Sequence, residues 1–405
     1  MTCNGTAFLT IVTHDYYYWA KTWAESVREN HNGEVIIVLA DKPTEAILDC
    51  LSDFRILTVP DLFPELGIEN YQRMAFQYTP FELTCALKPF LMRYLHSEFE
   101  QLIYLDADTF VYRELAEIPA ELESKSILLT PHLLVPDSIE CESRIRAAGT
   151  INGGFLATRQ SGETISFLDW WCERCRFDCI VDPYSGHFVD QSWLDLAASF
   201  FQSLKILRDD SLNVAYWNVD HREIIQAKNG FTVNGKPLGF FHFSGLDLEK
   251  PDVLSRFDNR VLPDVLLRLS TEYRNRLLEN RIIGLEDTQC QYATFDNGLK
   301  IDRYYREAIR NFVGFDAVEN PFDLVANPEL IDRFEDLQPE LILARKHWQM
   351  EELQKAADRQ TEWIQKQTDR RLDRKVFKKF KSLYFLVSNT LLSTNRDSDA
   401  NEKAA

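Results

Sequence analysis

Two carboxylates one residue apart, Asp106 and Asp108, end an apolar run within residues 101–112, QLIYLDADTFVY. Leu102, Ile103, Tyr104 and Leu105 have the length and character of a buried strand. In open α/β sheets, ligands collect at the carboxyl ends of such strands. Hard oxygen donors at that mouth suit Mg²⁺ or Mn²⁺ holding a diphosphate. The same Asp-x-Asp also reads as an acidic strand-to-turn cap, because Asp favours turns.

Other residues with chemistry to offer are spread along the chain. Lys88 stands next to Pro89 and reads either as a cation reaching an anion at the sheet mouth or as a solvated surface lysine. Asn152-Gly153-Gly154 allows a close backbone approach to a ligand, although such a run also makes a plain turn. Asp190 opens a helical pattern as a natural N-cap, a role compatible with catalysis. His242 lies on a late strand, where a lone histidine is most often a satisfied core residue. Cys172, Cys175 and Cys179 share one helical face. Zinc ligands normally come as two separated pairs, so these three read as a buried face.

The elements that must position these residues alternate in type. Strands are expected at 7–13, 34–40 and 55–59, with helices at 16–30 and 44–52 between them. That alternation specifies a parallel sheet with helices on both faces. A helix follows at 81–96, which Pro89 should kink or break. Further strands are expected at 126–130, from 155, at 204–207 and at 240–245, with helices at 162–179 and from 189. Asn234-Gly235 is a two-residue hairpin signal. The only early glycines are Gly5 and Gly33, so the G-x-G-x-x-G of dinucleotide oxidoreductases is missing.

The 405 residues include 63 Asp plus Glu against 45 Lys plus Arg, a formal net charge of -18. That balance argues against nucleic acid as a partner, and an anionic substrate would need a metal or a local cation. A hydrophobic share of 45% supports a large core. The start of the chain lacks a basic, apolar export signal, and no stretch is apolar for long enough to span a bilayer. With eight cysteines, this points to reduced thiols in a cytoplasm.

Taken in order, Asp-x-Asp, Asn-Gly-Gly, Asp-Gln and a late His-x-x-Gly with a following lysine resemble nucleotide-sugar glycosyltransferases of the GT-A fold. The resemblance is to the retaining enzymes of glycosyltransferase family 8 and their bacterial relatives, and it covers residues 6–255. It implies an α/β, Rossmann-like mixed sheet flanked by helices, with a helical C-terminal extension. It implies Mn²⁺ (or Mg²⁺) held by Asp106, Asp108 and His242, and a nucleotide-sugar donor with UDP as the nucleotide. Thr13 would hold the nucleotide, Asn152 and Gly153 would lie near the sugar, and Gly245 would approach the phosphates. Asp190 and Gln191 would flank the reacting carbon, and retention of configuration is implied. Lys250 would contact the diphosphate, but four residues separate it from Gly245, against two in the family's His-x-x-Gly-x-x-Lys.

On this reading residues 1–260 form the transferase domain and 261–335 a helical accessory segment. Residues 336–392 form a long charged helix, or a coiled coil offering an oligomer contact, and 393–405 a disordered tail. Residues 374–392 combine Lys and Arg with aromatics, which suits either an anionic membrane surface or packing on a protein. The acceptor would be a glycan or a lipid-linked glycan. The strongest rival is a haloacid-dehalogenase-type phosphohydrolase, in which Asp106 is the nucleophile and Asp108 the general acid. That family places its motif on the first strand and adds a later Gly-Asp pair. Here three strands precede Asp106 and no Gly-Asp occurs.

Overall fold

A computed structural model describes residues 5–336, apart from 229, 251, 259, 286–287 and 312–317. The expectations for 337–405, including the charged helix and the basic stretch at 374–392, lie outside the described residues. Contacts divide the chain into two units after Phe334, and all but the last two of the described residues belong to the first.

The strands β1 (Thr6–Val12), β2 (Glu34–Leu39) and β3 (Arg55–Thr58) are parallel neighbours. On the other side of β1 lies β4 (Gln101–Leu105), also parallel and buried along its whole length. A short strand, β5 (Thr109–Val111), follows the acidic pair. Next come β6 (Ile127–Pro131), β7 (Ile151–Arg159) and β8 (Leu204–Ile206). Seven of these strands make one mixed sheet in the order β8-β6-β7-β4-β1-β2-β3. β7 is antiparallel to both of its neighbours. A smaller sheet joins β5 to β10 (Phe240–His242), which pairs in turn with β9 (Val214–Ala215).

Helices cover the large sheet because each offers an apolar face. α1 (Tyr17–Asn30) buries Trp19, Trp23 and Val27 at spacings of four. α2 (Pro80–Leu95) begins with a Thr79–Glu82 capping box and Pro80 in its first turn, both favourable N-terminal chemistry. Pro89 does not break it. The helix runs on through Pro89, in a stretch where every residue from Cys85 to Met92 is buried, so packing on all sides outweighs the one lost backbone donor. α3 (Gly162–Cys175) buries Cys172 and Cys175, and the cysteines of the described residues are free thiols.

Asn152-Gly153-Gly154 is also not a turn. It lies inside β7, where the pairing with β6 slips its register between Leu129 and Thr130. The Asn234-Gly235 turn forms as expected, with both residues at positive φ between paired strands. The segment after residue 260 is built into the same unit. α5 (Asp264–Glu279) stacks Tyr273 on Phe243, with ring centroids 3.9 Å apart. Arg306 donates to the carbonyls of Phe76 and Tyr78. None of the helices among the described residues is long and apolar enough to cross a membrane.

Burial of His96 between Phe99 O and Thr158 Oγ1 pushes its pKa from 6.5 down to about 4. As pH falls through that window the unfolded chain binds a proton that the folded chain refuses, so stability declines. Denaturant titrations at pH 7 and pH 5 are expected to show this loss, and His96→Gln to reduce it.

Candidate functional site

The antiparallel course of β7 brings its first residues beside the end of β4. Asp106 N donates to Gly154 O at 2.9 Å. The pairing of β10 with β5 sets His242 opposite Thr109, and Phe243 N donates to Asp108 O at 2.8 Å. Two sheets therefore deliver Asp106, Asp108, Gly153, Gly154 and His242 to one edge.

Asp106, Asp108 and His242 form a three-residue donor group whose ligand atoms lie within 4.8 Å of one another. Nε2 of His242 is 3.0 Å from Asp108 Oδ1 and 3.9 Å from Asp106 Oδ2. The two carboxylates are 30% and 28% exposed, so the group opens to solvent on its acidic side. Burial alone would raise Asp108, but the neighbouring His242 outweighs it and holds the carboxyl below its ordinary value. Burial alone would lower His242, and Asp108 raises it instead. Two carboxylate oxygens and one imidazole nitrogen are a chemical fit for Mn²⁺, with Mg²⁺ served mainly by the carboxylates.

Behind this group lies Lys88, on the buried side of α2 and only 3% exposed. Its Nζ donates to Gly153 O at 2.9 Å and lies 3.2 Å from both Asp106 Oδ1 and Asp190 Oδ2. It also sits 4.8 Å from the Tyr104 ring centroid, and Tyr104 OH donates to Asp106 Oδ1 at 2.6 Å. Burial disfavours the ammonium, but Asp106 and Asp190 more than compensate and raise its pKa well above the ordinary value. Lys88 is thus a buried charge joining two carboxylates.

Asp190 occupies the N-cap position of α4 (Gln191–Phe200), but its side chain does not cap the helix. It is turned inward, 1% exposed, and its oxygens make no well-aligned hydrogen bond among the described residues. Burial raises its pKa, and Lys88 opposes the shift. Val189 just before it has φ +46°, a left-handed conformation that costs a β-branched residue about 1–3 kcal/mol. Gln191 is clamped at both ends: Oε1 accepts from Gly153 N at 3.1 Å, and Nε2 donates to Ala148 O at 2.6 Å. A Cβ on Gly153 would stand 3.0 Å from Asp190 Oδ2, so glycine lets this turn approach the strand.

Thr13 is buried just past β1, where its carbonyl accepts from Tyr16 N at 2.9 Å. Beside it, His14 Nδ1 lies 2.6 Å from Asp41 Oδ2. Gly245 has φ +72°, and an added Cβ would stand 2.8 Å from Ser255 Oγ. Lys250 is 64% exposed and paired with Asp247 at 3.5 Å. Sequence reasoning passed over His14, His132 and Asn213. Only Asn213 carried a local signal, as a polar residue opening the run NVAYWNV.

No protein-family model matches the chain. Two uncharacterized proteins of Bacillus subtilis (strain 168) are similar to it. YfnF is 28% identical over 250 residues, which are 59% of this chain and 81% of YfnF. YfnD is 26% identical over 172 residues, 41% of this chain and about half (54%) of YfnD. Among solved structures, the galactosyltransferase LgtC with donor and acceptor sugar analogs is 14% identical with a TM-score of 0.41, covering 69% of this chain and 98% of LgtC. The glycosyltransferase GlyE of Streptococcus pneumoniae TIGR4 is 14% identical with a TM-score of 0.40, covering 68% of this chain and 63% of GlyE.

Two outcomes are expected from this geometry. Lys88→Met leaves Asp190 a buried, unpaired carboxylate and should destabilise the chain by about 3–5 kcal/mol in denaturant titration. In Gly154→Ala the new methyl collides with His242 Cε1 and would stand 2.8 Å from its Nδ1. The imidazole must then shift, and Mn²⁺ affinity, read by calorimetry, should fall while far-UV circular dichroism stays unchanged.

Proposed function

We propose that the chain is a metal-dependent glycosyltransferase. It moves a sugar from a nucleotide-diphosphate donor, a UDP-sugar, to a glycan or lipid-linked acceptor with retention of configuration. The observation carrying this reading is the open Asp106–Asp108–His242 group set directly against the buried Lys88–Asp190–Gln191 group. The first suits a cation and the second suits a sugar.

Asp106, Asp108 and His242 would hold the cation. When bound, it would supply the positive charge that neutralises the departing diphosphate. Tyr104 and Lys88 hold Asp106 in place for this task. Asp190 presents a water-shielded carboxylate short of hydrogen-bond donors, which a sugar hydroxyl would supply. Gln191 Oε1 uses one lone pair on Gly153 N–H and keeps the other for an oxocarbenium-like sugar carbon. Thr13 and Gly245 would frame the nucleotide and sugar. Lys250 would reach the diphosphate only by leaving Asp247.

The test is hydrolysis of a panel of UDP- and GDP-sugars with and without Mn²⁺. Metal-dependent nucleotide release from one donor is expected, falling by about 100-fold or more in Asp108→Asn. Silence on every donor, with turnover of a phosphate monoester, would overturn the reading in favour of the phosphohydrolase.

A further inference from the structure

The ring nitrogen of His242 that faces the carboxylates is selected by a chain of hydrogen bonds that starts at a backbone amide. Gly154 N–H can only donate, and it points to the Asn152 side chain at 3.1 Å. The atom it meets must therefore be Oδ1, which sets the orientation of that amide. The same Oδ1 lies 3.1 Å from the Asn213 side chain, so Asn213 must present its Nδ2 there. Nδ2 of Asn213 also donates to Thr130 Oγ1 at 3.1 Å. Asn213 is then left with Oδ1 facing His242 Nδ1, at 3.3 Å. An acceptor in that place requires Nδ1 to carry a proton.

The far end of the chain is closed consistently. Nδ2 of Asn152 lies 3.1 Å from His132 Nε2, which must accept. Burial holds His132 down to about 4, so its ring is neutral and able to accept at neutral pH. The ring of Trp217 packs edge-on against both imidazoles, with centroids 5.1 Å from His132 and 5.2 Å from His242. Asn213 has φ +49°, a conformation that Asn and Asp tolerate well, and Asn218 Nδ2 bonds its carbonyl at 3.0 Å.

We infer that Asn152 and Asn213 are positioning residues: they pass the fixed polarity of the Gly154 amide to His242, so that Nδ1 holds the proton and Nε2 is the donor atom for a divalent cation. This rests on the metal-binding reading above. It gives Asn152 an inward task, since its oxygen and nitrogen both engage the protein rather than a sugar.

The experiment is a Mn²⁺ titration of the full chain by electron paramagnetic resonance, alone and with UDP, on wild type and three variants. Asn213→Asp keeps an acceptor for His242 Nδ1 and tolerates the same backbone, so its affinity should stay within about 3-fold of wild type. Asn213→Gly accepts the backbone but removes the acceptor, and should bind about 10–100-fold more weakly. Asn152→Ala, one link away from the imidazole, should weaken binding about 10-fold. Wild-type affinity in Asn213→Gly, or equal losses in Asn213→Gly and Asn213→Asp, would overturn the relay and leave the metal site standing. Absence of Mn²⁺ binding in wild type would overturn both.

Discussion

The site depends on one buried ammonium. Lys88 is taken out of water by the packing of α2, and an unpaired charge there would be expensive. It is stabilised by Asp106 at the end of β4, Asp190 at the start of α4 and the Gly153 carbonyl in β7. A single charge therefore ties three chain segments together at one point. The left-handed Val189 is consistent with this: the turn bears backbone strain while Asp190 is directed inward rather than onto its own helix.

Around that charge, polarity is graded. Lys88, His242 and Asp190 are buried, whereas Asp106 and Asp108 keep about a third of their side chains in solvent. The outward face is acidic and the supporting cation, Lys88, lies behind it, an arrangement that receives a metal ion before an anion. Glycine makes the close approaches feasible. At 153 and 154 any side chain would occupy the space now filled by Asp190 and His242.

Much of the frame was legible along the chain. The β-α-β-α-β opening, the buried β4 and its Asp-x-Asp follow from apolar runs, periodicity and turn residues, which act locally. Pro89 does not break its helix, because the rule for proline in helices is local too, whereas this helix is held by burial on all sides of its middle turns. Asn152-Gly153-Gly154 escapes its local rule in the same way: glycines that signal a turn in isolation here make room inside a strand. Asp190 looked like a cap, and its position is that of a cap, but a buried cation competes for the carboxylate and wins.

What the sequence by itself determined is the set of elements and the residue types able to do chemistry, because propensity, patterning and turn preference are properties of neighbouring residues. The tertiary structure alone decided which of those residues meet. An antiparallel β7 carries Asn152–Gly154 back to β4, and the pairing of β10 with β5 carries His242 to Asp108, 134 positions earlier in the chain. It also turned Lys88 inward and left Lys250 in water. Strand order, register and burial are set by the packing of the whole core, so no stretch of sequence contains them alone.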